Sequence, residues 1–583
     1  MVASRLTMMM RRGLWAIGRR MVLSVLALAT PVAAIGAPAD ATAAAPPGRI
    51  TTLVTGARIA GANGMHFGPD GLLYVASVVG GELLAMNPDT GAVVKRWNSA
   101  TGVDGPDDVA FAPDGSFYWT SILTGEVAGF RPDGTRVTAA RLTPGVNPLT
   151  FADDGRLFVA QCFFGTNLYE VDPNGVKPPR LIRDDLGPKC GLNGMDWGPD
   201  GRLYGPRWFR GEVVSIDVAT GALRTEVTGV QVPASVKFDS KGRLHVLDTM
   251  TGQVLRIDGG AKTVVATLTP GLDNFAFDKQ DELFVSSFAD GFVVHVKKDG
   301  STQELSPGGM VSASGLAVRR VGGRAEVIVA DLYALRGFDP VTGAVTSTQR
   351  DVLGISPMGS ALTVAADGAN LILSTWVDNA VRVWDPDARR VVQEFTQLKE
   401  PVDAVRFGNA VAISEFGGHR VIAIDGDRTR VVAGDLPAPT GLVVRQGELF
   451  VTERSRGQLL RLTRRGMPLA KPVVIARGLT QPEGVALLGD GFVVVEAGAG
   501  RITQVDLTGR TKLLARVAPG NSPAGATQPP SFIFNGVAVL DDTTLFVTSE
   551  QDRSLQRIDL PARSDAKSAK SAKSAKSAKN ANK

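Results

Sequence analysis

At 583 residues, 44% hydrophobic and 21% charged, the chain is long enough for two packed domains rather than one. Its formal charge of +5 sits at the ends: residues 1–40 carry five Arg and one Asp, residues 564–583 carry six Lys and one Asp, and the body is left near −4. A mildly acidic body excludes a nucleic-acid-binding stripe, and the two cysteines lack zinc spacing.

Residues 1–45 carry Arg5, Arg11, Arg12, Arg19 and Arg20, then the apolar run Met21 to Ala29, then small residues ending near Val32-Ala33-Ala34 or Ala37. This reads as a secretory signal peptide and linker, too short in its apolar core for a permanent anchor. No Cys follows the core, so a lipid anchor is not expected. The mature protein is expected to be periplasmic or secreted, without stable membrane insertion.

From there a single unit recurs. Its clearest copy is Asn193 to Asp217, NGMDWGPDGRLYGPRWFRGEVVSID: a strand at Met195 and Trp197, a tight Gly-Pro-Asp-Gly turn, a strand at Leu203-Tyr204, a loop, and a strand at Val213 to Ile216. A fourth strand follows at Ala222 to Val227. Aligning on the apolar residue before the turn gives Phe67, Phe111, Phe151, Trp197, Phe238, Phe277, Val318, Val364, Phe407, Val444, Leu487 and Val539, spaced 37 to 52 residues apart. Four short strands per period of about 40 to 50 residues is the signature of a β-propeller blade. The Pro-Asp-Gly triplets at 69–71, 113–115 and 199–201 supply hairpin turns.

Propellers carry about four to eight blades, so twelve copies divide into two tandem six-bladed β-propellers in an all-β chain. The expected domains are residues 46–299 and 300–562, followed by a disordered Lys-rich tail at 563–583 containing SAKSAKSAKSAK. The spare strand Ile50 to Val54 is placed as the outer strand of repeat 6, with Ser301 to Leu305 serving repeat 12. The alternative lets Ile50 to Val54 close repeat 12 directly. Cys162 ends the second strand of repeat 3 and Cys190 enters repeat 4 on the same face, so a Cys162–Cys190 disulfide is expected in an exported protein.

The segments LNGMDWGPDGRLY, PEGVAL (Pro482 to Leu487), LFVTERSRGQLLRL (Leu449 to Leu462) and VVVEAGAGRITQVD (Val493 to Asp506) resemble the senescence-marker (SMP-30)/gluconolactonase superfamily. They also resemble NHL-repeat and streptogramin-lyase propellers. The resemblance spans nearly all of residues 49–560 and implies fold more firmly than reaction. It implies one divalent metal held by a Glu in blade 1, an Asn in blade 4 and an Asp in blade 5, with an Asn in blade 3 positioning substrate. Carried across, the first ring keeps Asn147 and Asn193 as substrate-binding candidates but has Asn63 and Ala234 where the Glu and Asp belong.

Four residues before each aligned position the first ring has Asn63, Asp107, Asn147, Asn193, Ala234 and Asp273; the second has Ser314, Ser360, Asp403, Thr440, Glu483 and Asn535. At the second-strand ends the first ring has Ser77, Ser121, Gln161, Arg207, Asp248 and Ser287, whereas the second has Asp331, Thr375, Glu415, Glu453, Glu496 and Glu550. A mouth so rich in carboxylates recruits a cation. The expected Ca or Mg site therefore lies in the second ring, on Glu483, Asp403 and Asn535. The plainer alternative makes each acid a loop cap or the partner of a nearby Arg such as Arg420, Arg456 or Arg501.

His66, His245 and His295 fall within strands and read as packing residues, leaving His419 as the one His able to act as general base or acid. Arg207, Trp208, Phe209 and Arg210 form a cationic aromatic rim suited to an anionic or sugar-like ligand, or to packing on a neighbouring blade. The Pro-rich loop Ala518 to Ser531 reads as a lid or a plain insertion. The expected function is metal-dependent hydrolysis of a lactone or related ester, with Asp403 or Glu483 activating water. The alternatives are a non-catalytic envelope scaffold binding a ligand or protein, and a C–O lyase using His419. The expected partner is a small-molecule substrate or envelope ligand, and the protein is expected to be a monomer.

Overall fold

The computed structural model describes residues 48–520 and 534–561; the N-terminal segment expected to be a signal peptide, most of the Ala518–Ser531 loop and the lysine-rich tail lie outside them. The described residues form twelve four-stranded antiparallel sheets and three single-turn 3-10 helices, with no α-helix among them. In chain order the sheets, numbered 1 to 12, begin with the strands Met65–Phe67, Pro106–Phe111, Val146–Phe151, Asp196–Trp197, Pro233–Phe238, Leu272–Phe277, Leu316–Val321, Thr363–Asp367, Pro401–Phe407, Pro439–Arg445, Pro482–Leu488 and Val537–Asp541. All twelve aligned residues fall on these first strands.

The local cause is turn chemistry joined to apolar patterning. After Phe67, Asp70 Oδ1 accepts the Leu72 N–H at 3.2 Å and Gly71 takes a φ of 77°, a conformation that glycine adopts without strain. Second strands such as Leu73–Ser77 and Leu157–Gln161 are buried throughout, while fourth strands such as Val93–Trp97 are largely exposed. Each sheet thus runs from an interior edge to a solvent edge. Neighbouring sheets bury their faces on each other, as where Trp197 of sheet 4 stacks on Phe158 of sheet 3 at 5.6 Å. Each such side chain contributes about 1.5–3 kcal/mol of burial.

The first strand of sheet 1 packs against those of sheets 2 and 6, and that of sheet 7 against those of sheets 8 and 12. Ser286 Oγ of sheet 6 donates to the Asn63 carbonyl beside sheet 1 at 2.7 Å, and Ser314 Oγ donates to the Phe534 carbonyl at 3.1 Å. The residues from 47 onwards belong to one compact unit. Within it Trp208 Nε1 donates to the Leu353 carbonyl at 3.1 Å, and Asp290 receives Arg336 and Arg350, each at 2.8 Å. Arg336 also holds Asp331, so a buried ion network ties sheet 6 to sheet 7.

The preferred placement of the spare strand is corrected. Arg49–Val54 pairs with Ser554–Asp559, from Arg49 opposite Asp559 to Val54 opposite Leu555, and so completes sheet 12. Thr302–Ser306 instead completes sheet 6. The reason is loop closure: Val293–Val296 reaches Thr302–Ser306 through a tight Asp299-Gly300 turn, where Gly300 N–H donates to the Lys297 carbonyl at 2.8 Å. A local hairpin costs far less chain entropy than a long-range pairing. Sheet 12 is then left open, and only the N-terminal strand remains to cover its edge. Cys162 and Cys190 are joined by a disulfide. No helix among the described residues is long and apolar enough to cross a membrane.

A chain beginning at Gly56 leaves the Ser554–Asp559 edge unpaired. It is expected to melt at least ~2 °C below a chain beginning at residue 46 and to self-associate, as read by calorimetry and light scattering.

Candidate functional site

The loops entering the first strands carry backbone N–H groups that the sheets do not pair, and the acids of the second-strand ends meet them. Glu415 accepts Lys399 N–H and Arg420; Glu453 accepts Ala438 and Arg456 N–H; Glu496 accepts Thr480 N–H, Arg501 and Thr503; Asp331 accepts Val311 and Ser312 N–H and Arg336. In sheet 5 Asp248 does the same for Gln231 and Val232. Burial pushes Glu496 up, yet its bonds to Arg501, Thr503 and Thr480 prevail and hold it below the usual carboxylate range. These acids are loop caps, and the plainer alternative holds for them.

The proposed metal set does not assemble. Glu483, 1% exposed, takes Arg454 Nε on Oε1 at 3.1 Å and both Asn535 N–H and Nδ2 on Oε2, at 2.9 and 2.6 Å. Asn535 thus gives its backbone and amide N–H groups to Glu483, while its own Oδ1 is buried without a hydrogen-bond partner. Asp403 accepts Ala404 N–H at 3.0 Å and Leu442 N–H at 2.8 Å, bridging sheets 9 and 10. Among the described residues no three His, Cys, Asp or Glu stand together as a metal cluster. His419 is exposed on a turn, its Nδ1 2.9 Å from the Pro437 carbonyl. Both oxygens of Glu483 and both of Asp403 already accept hydrogen bonds within the protein.

The cationic aromatic rim also has another role. Trp208, 2% exposed, packs on Phe163 and reaches Leu353 beyond sheet 7, while Arg207 pairs with Glu212 at 2.9 Å. Neither faces an open mouth. His66, His245 and His295 pack on Phe111, Phe277 and Phe284. Burial, and then Lys237, pushes His66 down to about 4.

Among sheets 1 to 6 the structure brings together Asp107 and Asp273, which sequence spacing had aligned without singling out as a site. Asp107, 5% exposed, has a buried Oδ2 with no hydrogen-bond partner. Asp273 of sheet 6 lies within its electrostatic reach and is hydrogen-bonded by the Asn63 side chain, whose Oδ1 accepts Val78 N–H at 3.1 Å. Gly64 lets the chain approach, its N–H on the Asp107 carbonyl at 2.8 Å where a Cβ would overlap Asp108. Asn147 and Asn193 are buried at the same level of sheets 3 and 4. Tyr333, in the turn between the second and third strands of sheet 7, edges onto Phe288 at 4.9 Å and lies within electrostatic reach of Asp107, Asp273 and Asp351. Burial, then Asp108, pushes Asp273 up to about 8, and burial with Asp273 and Asp108 pushes Asp107 well above the usual range. The signal was present: Asp107 and Asp273 are the only acids of repeats 1 to 6 at that aligned position.

Two carboxylates, one with an orphaned buried oxygen, are donors of the kind a hard cation takes. The Asn147 and Asn193 amides are of the same chemical kind, although Asn193 Oδ1 accepts Gly194 N–H at 3.0 Å.

No protein-family model and no curated protein matches the chain. Solved structures similar to it include a streptogramin B lyase at 14% identity and TM-score 0.36, covering 49% of this chain and 95% of that one. A gluconolactonase from Xanthomonas campestris gives 18% and 0.34, covering 41% and 87%. The extracellular domain of a putative one-component system from B. thetaiotaomicron gives 10% and 0.29, covering 86% and 83%. The functional reading rests on this chain's own residues.

Because the folded state keeps a proton on Asp273 that the unfolded chain releases, stability falls as pH rises from about 4 to about 8. In chelator-treated protein, Asp273→Asn is expected to flatten that decline and to melt at least ~2 °C above the parent at pH 8, measured by calorimetry across the range.

Proposed function

We propose that the chain is an exported hydrolase that opens a small lactone or related ester at the Asp107–Asp273 site, built on two tandem six-bladed propellers. The tandem reading, residues 46–299 and 300–562, is supported by sheet 1 lying against sheet 6 and sheet 7 against sheet 12. The observation that carries the reaction is the buried, unpartnered Oδ2 of Asp107 within electrostatic reach of a second carboxyl. A buried polar atom without a partner costs about 1–3 kcal/mol, so its retention points to a ligand.

Asp107, Asp273 and the Asn147 and Asn193 amides would hold a divalent cation, Ca or Mg, which when bound polarises a carbonyl and eases ionisation of water. Asn63 fixes Asp273, because its Oδ1 is taken by Val78 N–H and its amide hydrogens are left for the carboxyl. With the cation bound Asp107 would be ionised, and its oxygen not held by the cation would take the proton from the attacking water. Tyr333, pushed far above its usual range by burial and then by Asp107, Asp273 and Asp351, keeps its proton and donates to the oxygen that gains charge.

The test is calorimetry with CaCl2, MgCl2 and MnCl2 on the mature chain, followed by a panel of aliphatic lactones. One ion should bind, and Asp107→Asn should lower turnover on the order of 100-fold, while Glu483→Gln and Asp403→Asn leave ion binding unchanged. Loss of the ion in Glu483→Gln, or an Asp107→Asn protein as active as its parent, overturns the reading. Ion binding without turnover of any lactone converts it to a binding scaffold.

A further inference from the structure

The centre of sheets 7 to 12 differs in kind from that of sheets 1 to 6. It holds an open cavity of 290 Å3, near the small end of ligand pockets at about 300–1,000 Å3. Its wall is aliphatic, with Val318, Val364, Val405, Val443, Leu487 and Val539, and its one ionisable lining residue is Asp403. Beside Asp403, Val402 packs with Leu362, Trp376, Phe416 and Phe534 and closes that end with apolar surface.

Asp403 repeats an arrangement found twice in the first half. Asp108 accepts Val109 N–H and, from sheet 3, Leu149 N–H; Asp196 accepts Trp197 N–H and, from sheet 5, Phe238 N–H. Asp403 accepts Ala404 N–H and, from sheet 10, Leu442 N–H. In the first half the chain supplies the counter-ion. Lys237 of sheet 5 is buried between Asp108 and Asp196, opposes the effect of burial on both, and rests Nζ 3.4 Å from the Met195 carbonyl. That side chain is a four-carbon ammonium laid through the channel.

In sheet 11, fifth in its half as sheet 5 is in its own, the residue before the aligned position is Ala486, and it lines the cavity. Arg406, at the same position of sheet 9, turns away to pair with Asp367 at 2.6 Å. We propose that the channel of sheets 7 to 12 binds a primary alkylammonium ion, its aliphatic chain along the valine-rich wall and its ammonium at Asp403, as Lys237 lies in the first half. A buried carboxylate gains most from a partner that also brings apolar surface, since desolvation is then shared with hydrophobic burial.

The probe is n-octylamine hydrochloride titrated into the mature chain at neutral pH, with n-octanol and sodium octanoate as comparisons. Octylammonium should bind saturably, octanol roughly tenfold more weakly, and octanoate not measurably. Ala486→Lys supplies the ammonium from within and should abolish octylammonium binding while raising the melting temperature. Val443→Phe narrows the channel without touching Asp403 and should weaken binding of both the amine and the alcohol. Asp107→Asn should leave it unchanged, which separates this site from the hydrolytic reading. Absence of saturable binding, equal binding of octanoate, or an Ala486→Lys protein that binds as its parent does overturns the proposal.

Discussion

The structure depends on satisfying the backbone donors of the loops that dive from the rim of one sheet to the interior edge of the next. Such a loop has left its own sheet and has not joined another, so its N–H groups lack ladder partners. A carboxylate at the end of the second strand reaches back to them, as Glu453 does to Ala438 and Asp248 to Val232. In sheet 3 the same position is filled by Gln161, which caps in the opposite sense: its Nε2 donates to Thr143. A charged cap is worth about 1.5–3 kcal/mol, and it must be made where water is scarce. An Arg such as Arg420 or Arg501 then balances the charge, which explains why so many buried acids coexist without forming a cation site.

That requirement also separates structural from functional acids. An acid whose oxygens are consumed by backbone donors and an arginine has little left for a substrate. Glu415, Glu496 and Glu483 are of this kind, whereas Asp107 keeps a buried oxygen without a partner. Burial depth alone does not distinguish them, since Glu483 is the more buried. The inventory of hydrogen bonds does.

Much of the fold was legible because a repeat of aromatic residue, Pro-Asp-Gly turn and apolar strand encodes both the period and the strand directions. Phe67, Phe111 and Trp197 all fall where the spacing placed them. The closing strand was less legible, because Arg49–Val54 and Thr302–Ser306 have similar length and pattern and only the tight turn at Asp299-Gly300 decides between them. Partners were the least legible. A Glu after a strand reads the same whether Arg454 or a metal ion will face it, and residues as far apart as Asp107 and Asp273 meet only when sheet 6 comes round beside sheet 1. The rim at Arg207 and Trp208 left ligand binding and packing both open for the same reason, since its partner Leu353 lies 145 residues further on.

The two halves solve one geometric problem with different chemistry at the centre. Six first strands brought together leave an axial space that side chains must fill or line. In sheets 1 to 6 the filling is ionic, with Lys237 among Asp108, Asp196 and His66, and an ionic plug is rigid because each member loses its partners if it moves. Such a plug gives the groups above it, Asp107 and Asp273, a fixed floor. In sheets 7 to 12 the space is lined by valines and left as a cavity, with one carboxyl that burial pushes up to about 7. The two halves thus share one pattern of strand pairing while their centres differ, one filled by charged and polar groups and the other lined by apolar side chains.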